Sequence, residues 1–174
     1  AIGDHDITAT ATDTAGNTST ASTPLAITIA NPTPPTVTLG SSGSPFAENA
    51  GTGTIIANLS AATINPVTVD LAFSGTATGG GTDYTAGGTQ IVIAPGKTSG
   101  TVNITGNDDN TFEGAETVIV DIGNVTGGSE QGSQQQTLSI TDDDTAPTVT
   151  LTTTGSPLGE NGGVATVTAN LSNP

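Results

Sequence analysis

Val67-Thr68-Val69-Asp70-Leu71-Ala72-Phe73 alternates large apolar side chains with small or polar ones. A period of two places Val67, Val69, Leu71 and Phe73 on one face of a strand and leaves the other face to water. The same rhythm returns on both sides, at Val37 and Leu39, Ile91 and Ile93, and Val102 and Ile104. It recurs at Val118, Val120 and Ile122, and again at Leu138 and Ile140. Helical spacing is absent, and 24 Gly and 10 Pro cut the chain into short runs. Short strands at such intervals predict an all-β antiparallel sandwich. Gly79-Gly80-Gly81 and Gly127-Gly128 read as turns, and the polar stretch 129–136 reads as a mobile hairpin loop.

Composition removes several classes of function. Sixteen acidic side chains stand against one Lys and no Arg in 174 residues, a formal charge of −15. Nucleic-acid phosphates need Lys and Arg, so no nucleic-acid partner is expected. Cys is absent, which excludes disulfides and thiolate chemistry. With one His (His5) and one Lys (Lys97), acid–base or nucleophilic catalysis would fall to carboxylates alone, and no enzyme is expected. No apolar run approaches the roughly 20 residues of a membrane helix, so membrane insertion is not expected. High charge with low hydrophobicity is also the signature of disorder. Here only 10% of residues are charged, and the Val/Ile/Thr alternation argues for a folded chain. The N-terminus lacks a basic segment followed by an apolar one, so it is not a signal peptide. Ala1 opens inside a strand-like pattern, as a piece of something longer would.

The chain repeats itself. Pro35-Thr36-Val37-Thr38-Leu39 returns as Pro147-Thr148-Val149-Thr150-Leu151, an offset of 112. At the same offset Gly43-Ser44-Pro45 matches Gly155-Ser156-Pro157, and Glu48-Asn49 matches Glu160-Asn161. Ala57-Asn58-Leu59-Ser60 then matches Ala169-Asn170-Leu171-Ser172. Residues 35–146 therefore read as one complete unit and 147–174 as the start of a second, a tandem arrangement. Residues 1–30 fit neither. A strand is expected over residues 6–13 and another over 23–29, with a turn between them and a stiff Pro-rich linker at 31–34. The segment resembles the closing hairpin of bacterial immunoglobulin-like repeats through Asp13-Thr14-Ala15-Gly16-Asn17-Thr18-Ser19.

Charge by position is the decisive observation. Asp108, Asp109, Glu113 and Glu116 fall close together straight after a strand, and Asp142, Asp143 and Asp144 follow the last strand of the unit. Two readings compete. Such runs are usually solvated loops. Alternatively they form a hard-cation site, since Ca²⁺ takes about 6–8 oxygen ligands and tolerates flexible loops. Loops after alternate strands gather at one end of a sandwich. If the strands alternate in direction, Glu48 and Asp83 join the two clusters there.

Residues 35–144 resemble the Calx-beta domain, the calcium-binding sandwich of sodium–calcium exchangers, integrin β4 and large bacterial surface proteins. Five motifs carry the resemblance in order. Glu48-Asn49-Ala50-Gly51-Thr52 is the first, and the run from Gly75-Thr76-Ala77 to Thr82-Asp83-Tyr84 is the second. The turn Ile93-Ala94-Pro95-Gly96-Lys97-Thr98, the acidic loop Asp108-Asp109-Asn110-Thr111-Phe112-Glu113-Gly114-Ala115-Glu116 and the terminal Ile140-Thr141-Asp142-Asp143-Asp144 follow. The resemblance implies an immunoglobulin-like sandwich binding roughly two to four Ca²⁺ ions. It implies Asp142, Asp143, Asp144 and Asp109 around the central ions, with Glu48 and Asp83 closing the shell. Asp108, Glu113 and Glu116 would serve the outer ions, with a carbonyl near Thr111. Asn110 stands where the family often has a third Asp, which weakens or removes one outer ion. Lys97 replaces the usual acidic turn residue and should lie far from the ions. By the repeat offset, Glu160 is the counterpart of Glu48.

Other polar residues have plainer readings. Asp70, Asp121 and Glu130 are expected to be solvated, and Asp13 to cap its turn. Asp4 and Asp6 beside His5 are read as incidental rather than metal-ligating. Asn17, Asn58, Asn103, Asn124 and Asn170 head glycosylation sequons that matter only in a secreted eukaryotic protein. The function expected is a calcium-dependent structural module of a large extracellular adhesin or surface fibre, bacterial in source. Its partners would be neighbouring repeats and other copies in a filament. Alternatives are a calcium-sensing regulatory domain and a carbohydrate- or surface-binding module, the latter disfavoured by scarce aromatics.

Overall fold

The computed structural model of the chain describes residues 2–29 and 33–172. The expected linker therefore lies partly outside the described residues, at Asn31 and Pro32, as do Ala1, Ala30 and residues 173–174. The backbone divides into two compact units, Ala1–Pro34 and Pro35–Pro174. All regular structure among the described residues is strand.

In the first unit β1 (Gly3–Ile7) and β2 (Leu25–Ile29) pair antiparallel. The strand expected over residues 6–13 instead stops at Ile7, and the later one begins at Leu25. Beyond Ile7 the two legs run on side by side, but serine hydroxyls take over part of the backbone ladder. Ala9 N–H donates to Ser22 Oγ at 3.1 Å and Ala11 N–H to Ser19 Oγ at 3.0 Å. Asp13 closes the turn, accepting from Ala15 N and Asn17 N at 2.9 Å each and from Asn17 Nδ2 at 3.0 Å. The Asn17 amide, then its backbone N–H, hold the Asp13 carboxyl below its ordinary range.

Ten strands of the second unit build two five-stranded sheets. They are β3 (Thr36–Ser42), β4 (Phe46–Ala47), β5 (Thr52–Leu59), β6 (Val67–Gly75) and β7 (Tyr84–Ala86), then β8 (Gln90–Ile93), β9 (Ser99–Gly106), β10 (Glu116–Thr126), β11 (Ser129–Glu130) and β12 (Gln135–Thr141). One sheet runs β4-β12-β10-β6-β8 and the other β11-β3-β5-β9-β7. Pairing is antiparallel except at two margins, where β4 lies parallel to β12 and β11 parallel to β3. The inward side chains form one core: Val37, Leu39, Val67, Val69, Ile91, Ile93, Val102, Ile104, Val118, Val120, Leu138 and Ile140 are all buried. Phe73 and Ile122 are half-buried against it. Each enclosed Val, Leu or Ile contributes roughly 1.5–3 kcal/mol by leaving water.

The stretch 129–136 departs from the expected mobile loop. Its amide side chains bond into β3: Gln134 Oε1 accepts from Leu39 N at 3.2 Å, and Gln136 Nε2 donates to Leu39 O at 3.3 Å. Glu130 is exposed, yet accepts from Gln134 N at 2.6 Å. Asp70 and Asp121 are half-buried rather than freely solvated. Asp70 takes Gln90 Nε2 at 2.6 Å and Asn124 Nδ2 at 3.3 Å, and Asp121 takes Gln135 Nε2 at 2.9 Å.

A further hairpin joins β13 (Val149–Thr154) to β14 (Thr166–Leu171) and keeps the repeat offset in its register. Val149 sits opposite Leu171 as Val37 sits opposite Leu59. Thr148 N–H donates to Ser172 Oγ at 2.9 Å, as Thr36 N–H does to Ser60 Oγ at 2.9 Å. The surroundings differ. Val37 and Leu59 are 0% and 7% exposed, whereas Val149 and Leu171 are each 63% exposed.

Candidate metal centre

Strand registers decide which loops share an end of the sandwich. Thr141 pairs with Ala47 in a parallel ladder, so Asp142 and Glu48 leave the sheet side by side. Glu48 N–H donates to Thr141 O at 3.0 Å. β10 starts at Glu116 opposite Ile140, which puts Glu116 at the same margin. In the other sheet β9 ends at Gly106 opposite Tyr84, so Asp83 and the acidic loop emerge together. Asn107 N–H donates to Asp83 O at 3.0 Å.

A glycine allows the close approach that completes the arrangement. Gly106 N–H donates to Gly51 O at 2.9 Å. A β-carbon on Gly106 would stand 2.6 Å from both Ala47 O and Glu48 O, two backbone atoms with nowhere to move. The end of β9 therefore lies directly against the turn that presents Glu48. Within that turn Ala50 adopts φ 56°, unusual for a residue with a side chain.

Among the described residues the carboxylates meet in three groups, each with ligand atoms within 4.8 Å of one another. Glu48 joins Asp108 and Asp143 in one and Asp109 and Asp144 in the second. Asp83, Glu113 and Glu116 make the third. Glu48 and Asp83 are buried, at 6% and 7% exposure. These groups contain eight of the nine carboxylates expected from the sequence.

The ninth, Asp142, holds backbone. Its Oδ2 accepts from Glu113 N at 2.6 Å and Gly114 N at 2.5 Å, and its Oδ1 from Asp144 N at 2.8 Å. Donation from Gly114, then from Asp144 and Glu113, lowers its pKa despite the opposing cost of desolvation. Thr111 is exposed, and its N–H bonds Asp109 Oδ1 at 2.6 Å, which orders the loop.

The electrostatics are those of an acid cluster lacking counter-charge. Burial, then the Asp142, Asp109 and Asp144 charges, pushes the Glu48 carboxyl up. Burial and the charges of Asp83, Asp109 and Asp142 do the same to Glu113. Asp144 is raised by desolvation and by Asp142, Asp143, Asp109 and Asp108. Glu116 is pushed up to about 7, by desolvation first and then by its contact with Asp83. Among the described residues, two carboxylate oxygens, Asp83 Oδ1 and Asp144 Oδ2, are buried with no hydrogen-bond donor. Such an oxygen needs a proton on a neighbouring acid or a cation. The oxygen-only donor set fits a hard dication such as Ca²⁺ and suits softer metals poorly.

Sequence reasoning missed two contributors. Gly106 shows its role only through the approach of β9 to the Glu48 turn. Asn107 accepts from Thr85 Oγ1 at 3.1 Å while its Nδ2 is buried without a partner among the described residues. Its place just before Asp108 was the available signal. Elsewhere, Asp4, His5 and Asp6 enter no such group among the described residues. Asp4 Oδ1 accepts from Thr28 Oγ1 at 2.6 Å. Glu160 is exposed in the turn between β13 and β14.

Comparison with known proteins gives one family and one fold. The Calx-beta domain family matches residues 33–144. The structure of the apo-form Calx CBD1 domain is similar at 22% identity and a TM-score of 0.50, covering 63% of this chain and 99% of that one. CBD12 from CALX1.2 is similar at 23% identity and a TM-score of 0.52, covering 66% of this chain and 48% of that one. These likenesses support the β-sandwich fold. No curated protein matches the chain.

Proposed function

Because the chain belongs to the Calx-beta domain family, whose members are calcium-binding modules, we propose that residues 35–146 are a calcium-binding structural module of a large extracellular adhesin or surface fibre. The observation behind this reading is the set of three carboxylate groups with two buried oxygens that lack donors. Glu48, Asp108, Asp109, Asp143 and Asp144 would hold ions in the first two groups, and Asp83, Glu113 and Glu116 in the third. A carbonyl near Thr111 completes the outer shell. Asp142 ties the acidic loop, through the Glu113 and Gly114 amides, to the segment leaving β12, through the Asp144 amide, so the shell is shaped before an ion arrives. Its carboxylate has lone pairs to spare for a cation. Roughly two to four Ca²⁺ ions would supply positive charge where the chain has none.

The mechanism is charge compensation. Without cations the carboxylates repel, and the loops joining β9 to β10 and leaving β12 are held against that repulsion. With cations bound, the same oxygens become shared ligands that tie Glu48, the acidic loop and residues 142–144 together. Those last residues lead through Pro147 into β13, so the bound state also stiffens the exit toward the next repeat. Stacked units of this kind make a rod. The partners proposed are neighbouring repeats of the chain and other copies in a filament, at a bacterial surface.

A calcium-sensing regulatory domain would use the same residues, but the repeat that begins at Pro147 favours the rod. Scattering of the chain across a calcium titration separates the two. A structural module keeps one set of dimensions once bound, while a sensor changes them gradually over the titration. The shared premise is tested by thermal melting with chelator and with Ca²⁺. Binding to the native state alone adds about 2.7 kcal/mol per independent site at 100 times Kd. A melting temperature indifferent to calcium would remove the premise.

A further inference from the structure

Asn161-Gly162 is the one Asn-Gly pair in the chain. It lies in the exposed turn between β13 and β14. Gly162 has φ +80°, and nothing lies within 4 Å of where its β-carbon would be. The repeat supplies an internal comparison, since the offset of 112 aligns this pair with Asn49-Ala50. There the following residue carries a β-carbon, and its N–H is engaged with Glu48 O at 2.7 Å. Among the described residues no backbone carbonyl accepts from Gly162 N–H, and the turn is closed one residue later by Gly163 N–H to Gly159 O at 3.0 Å. The position of a Gly162 β-carbon is thus uncrowded, and no backbone carbonyl among the described residues competes for the Gly162 amide.

We propose that Asn161 is a site of spontaneous deamidation, an ageing modification confined to the second repeat. The Gly162 amide nitrogen loses its proton and attacks Asn161 Cγ. An N–Cγ bond forms, the Cγ–Nδ2 bond breaks, and the side-chain nitrogen leaves as ammonia with the protons it needs from solvent. Water then adds to either carbonyl of the five-membered imide, and that carbonyl's bond to the ring nitrogen opens. Opening at one carbonyl gives Asp; opening at the other gives isoaspartate, whose backbone is longer by one methylene. The net reaction exchanges an amide and a water for a carboxylic acid and ammonia. The product places a new negative charge beside Glu160, the counterpart of Glu48. As isoaspartate it also lengthens the turn that links the paired Thr154 and Thr166. The inference stands on the turn alone and is independent of calcium binding.

The test is peptide mapping by mass spectrometry of the whole chain held in mildly alkaline buffer containing heavy-oxygen water. Asn161 should convert to a mixture of Asp and isoaspartate that carries solvent oxygen. Its rate should exceed that of Asn49 by roughly tenfold or more, a barrier difference of about 1.4 kcal/mol. Gly162→Ala should bring Asn161 down toward the Asn49 rate. Equal rates at Asn161 and Asn49 in the unaltered chain overturn the proposal, as does a rate at Asn161 indifferent to Gly162→Ala.

Discussion

Glu48→Gln removes one negative charge shared by two of the carboxylate groups while keeping the volume of the side chain. Its neighbours' ligand atoms lie within 4.8 Å. At about that separation each like-charge pair costs roughly 0.9 kcal/mol in a water-like dielectric and about 3.5 kcal/mol at an effective value near 20. The carboxyl is already pushed toward its protonated form by burial and by Asp142, Asp109 and Asp144, so part of the repulsion is relieved before the substitution. The metal-free chain should therefore gain about 1–2 kcal/mol. At roughly 4 °C per kcal/mol for a domain of this size, its melting point rises by about 4–8 °C. In saturating calcium the sign reverses, because the substitution deletes a ligand from two ion groups. Paired thermal melts of both chains, in chelator and in Ca²⁺, give all four numbers. A variant that melts below the parent in chelator, or level with it in calcium, would mean that Glu48 neither adds to the repulsion nor holds an ion.

Gly106→Ala forces a β-carbon against Ala47 O and Glu48 O; a loss of about 1–3 kcal/mol is expected in denaturant unfolding, with weaker calcium affinity by calorimetry. Ala50→Gly relieves a left-handed backbone, and the repeat already places Gly162 at the equivalent position. The left-handed conformation costs an ordinary residue about 1–2 kcal/mol and glycine's extra entropy returns part of it, so unfolding should show a net gain of about 0.5–1 kcal/mol. The pH dependence without metal follows from Glu116, whose pKa rises from 4.5 unfolded to about 7 folded. The folded chain binds the extra proton between those values, so stability is fullest below about 4.5 and declines as pH climbs through about 7. Melts across that range in chelator should fall with rising pH, and excess calcium should remove the decline.

The core was legible because strand burial is written locally. Val67, Val69 and Leu71 alternate with polar neighbours, and the inward set is enclosed as the period of two requires. The turn at Asp13 was legible for a similar reason, since its partners lie within four residues. What depended on distant partners was not. Nothing apolar marks Ser129–Glu130 as a strand, and its parallel pairing with β3 shows only once Gln134 and Gln136 are seen bonding Leu39. The Thr/Ala alternation after Ile7 suggested a longer strand, but Ser19 and Ser22 hydroxyls compete for its amides. At the acidic end, motif order indicated which carboxylates belong together. Their division into three groups, and the use of Asp142 to hold the 113–114 backbone, are set by separations across two sheets that no local pattern encodes.

Native mass spectrometry of the chain after equilibration with Ca²⁺, counting bound ions, decides whether the acidic end of the sandwich holds metal. At least two calcium ions are expected on the folded chain, and a lower count when Asp143 and Asp144 are both changed to Asn. A folded parent chain that carries none at saturating calcium, or a count unmoved by that double substitution, contradicts this expectation.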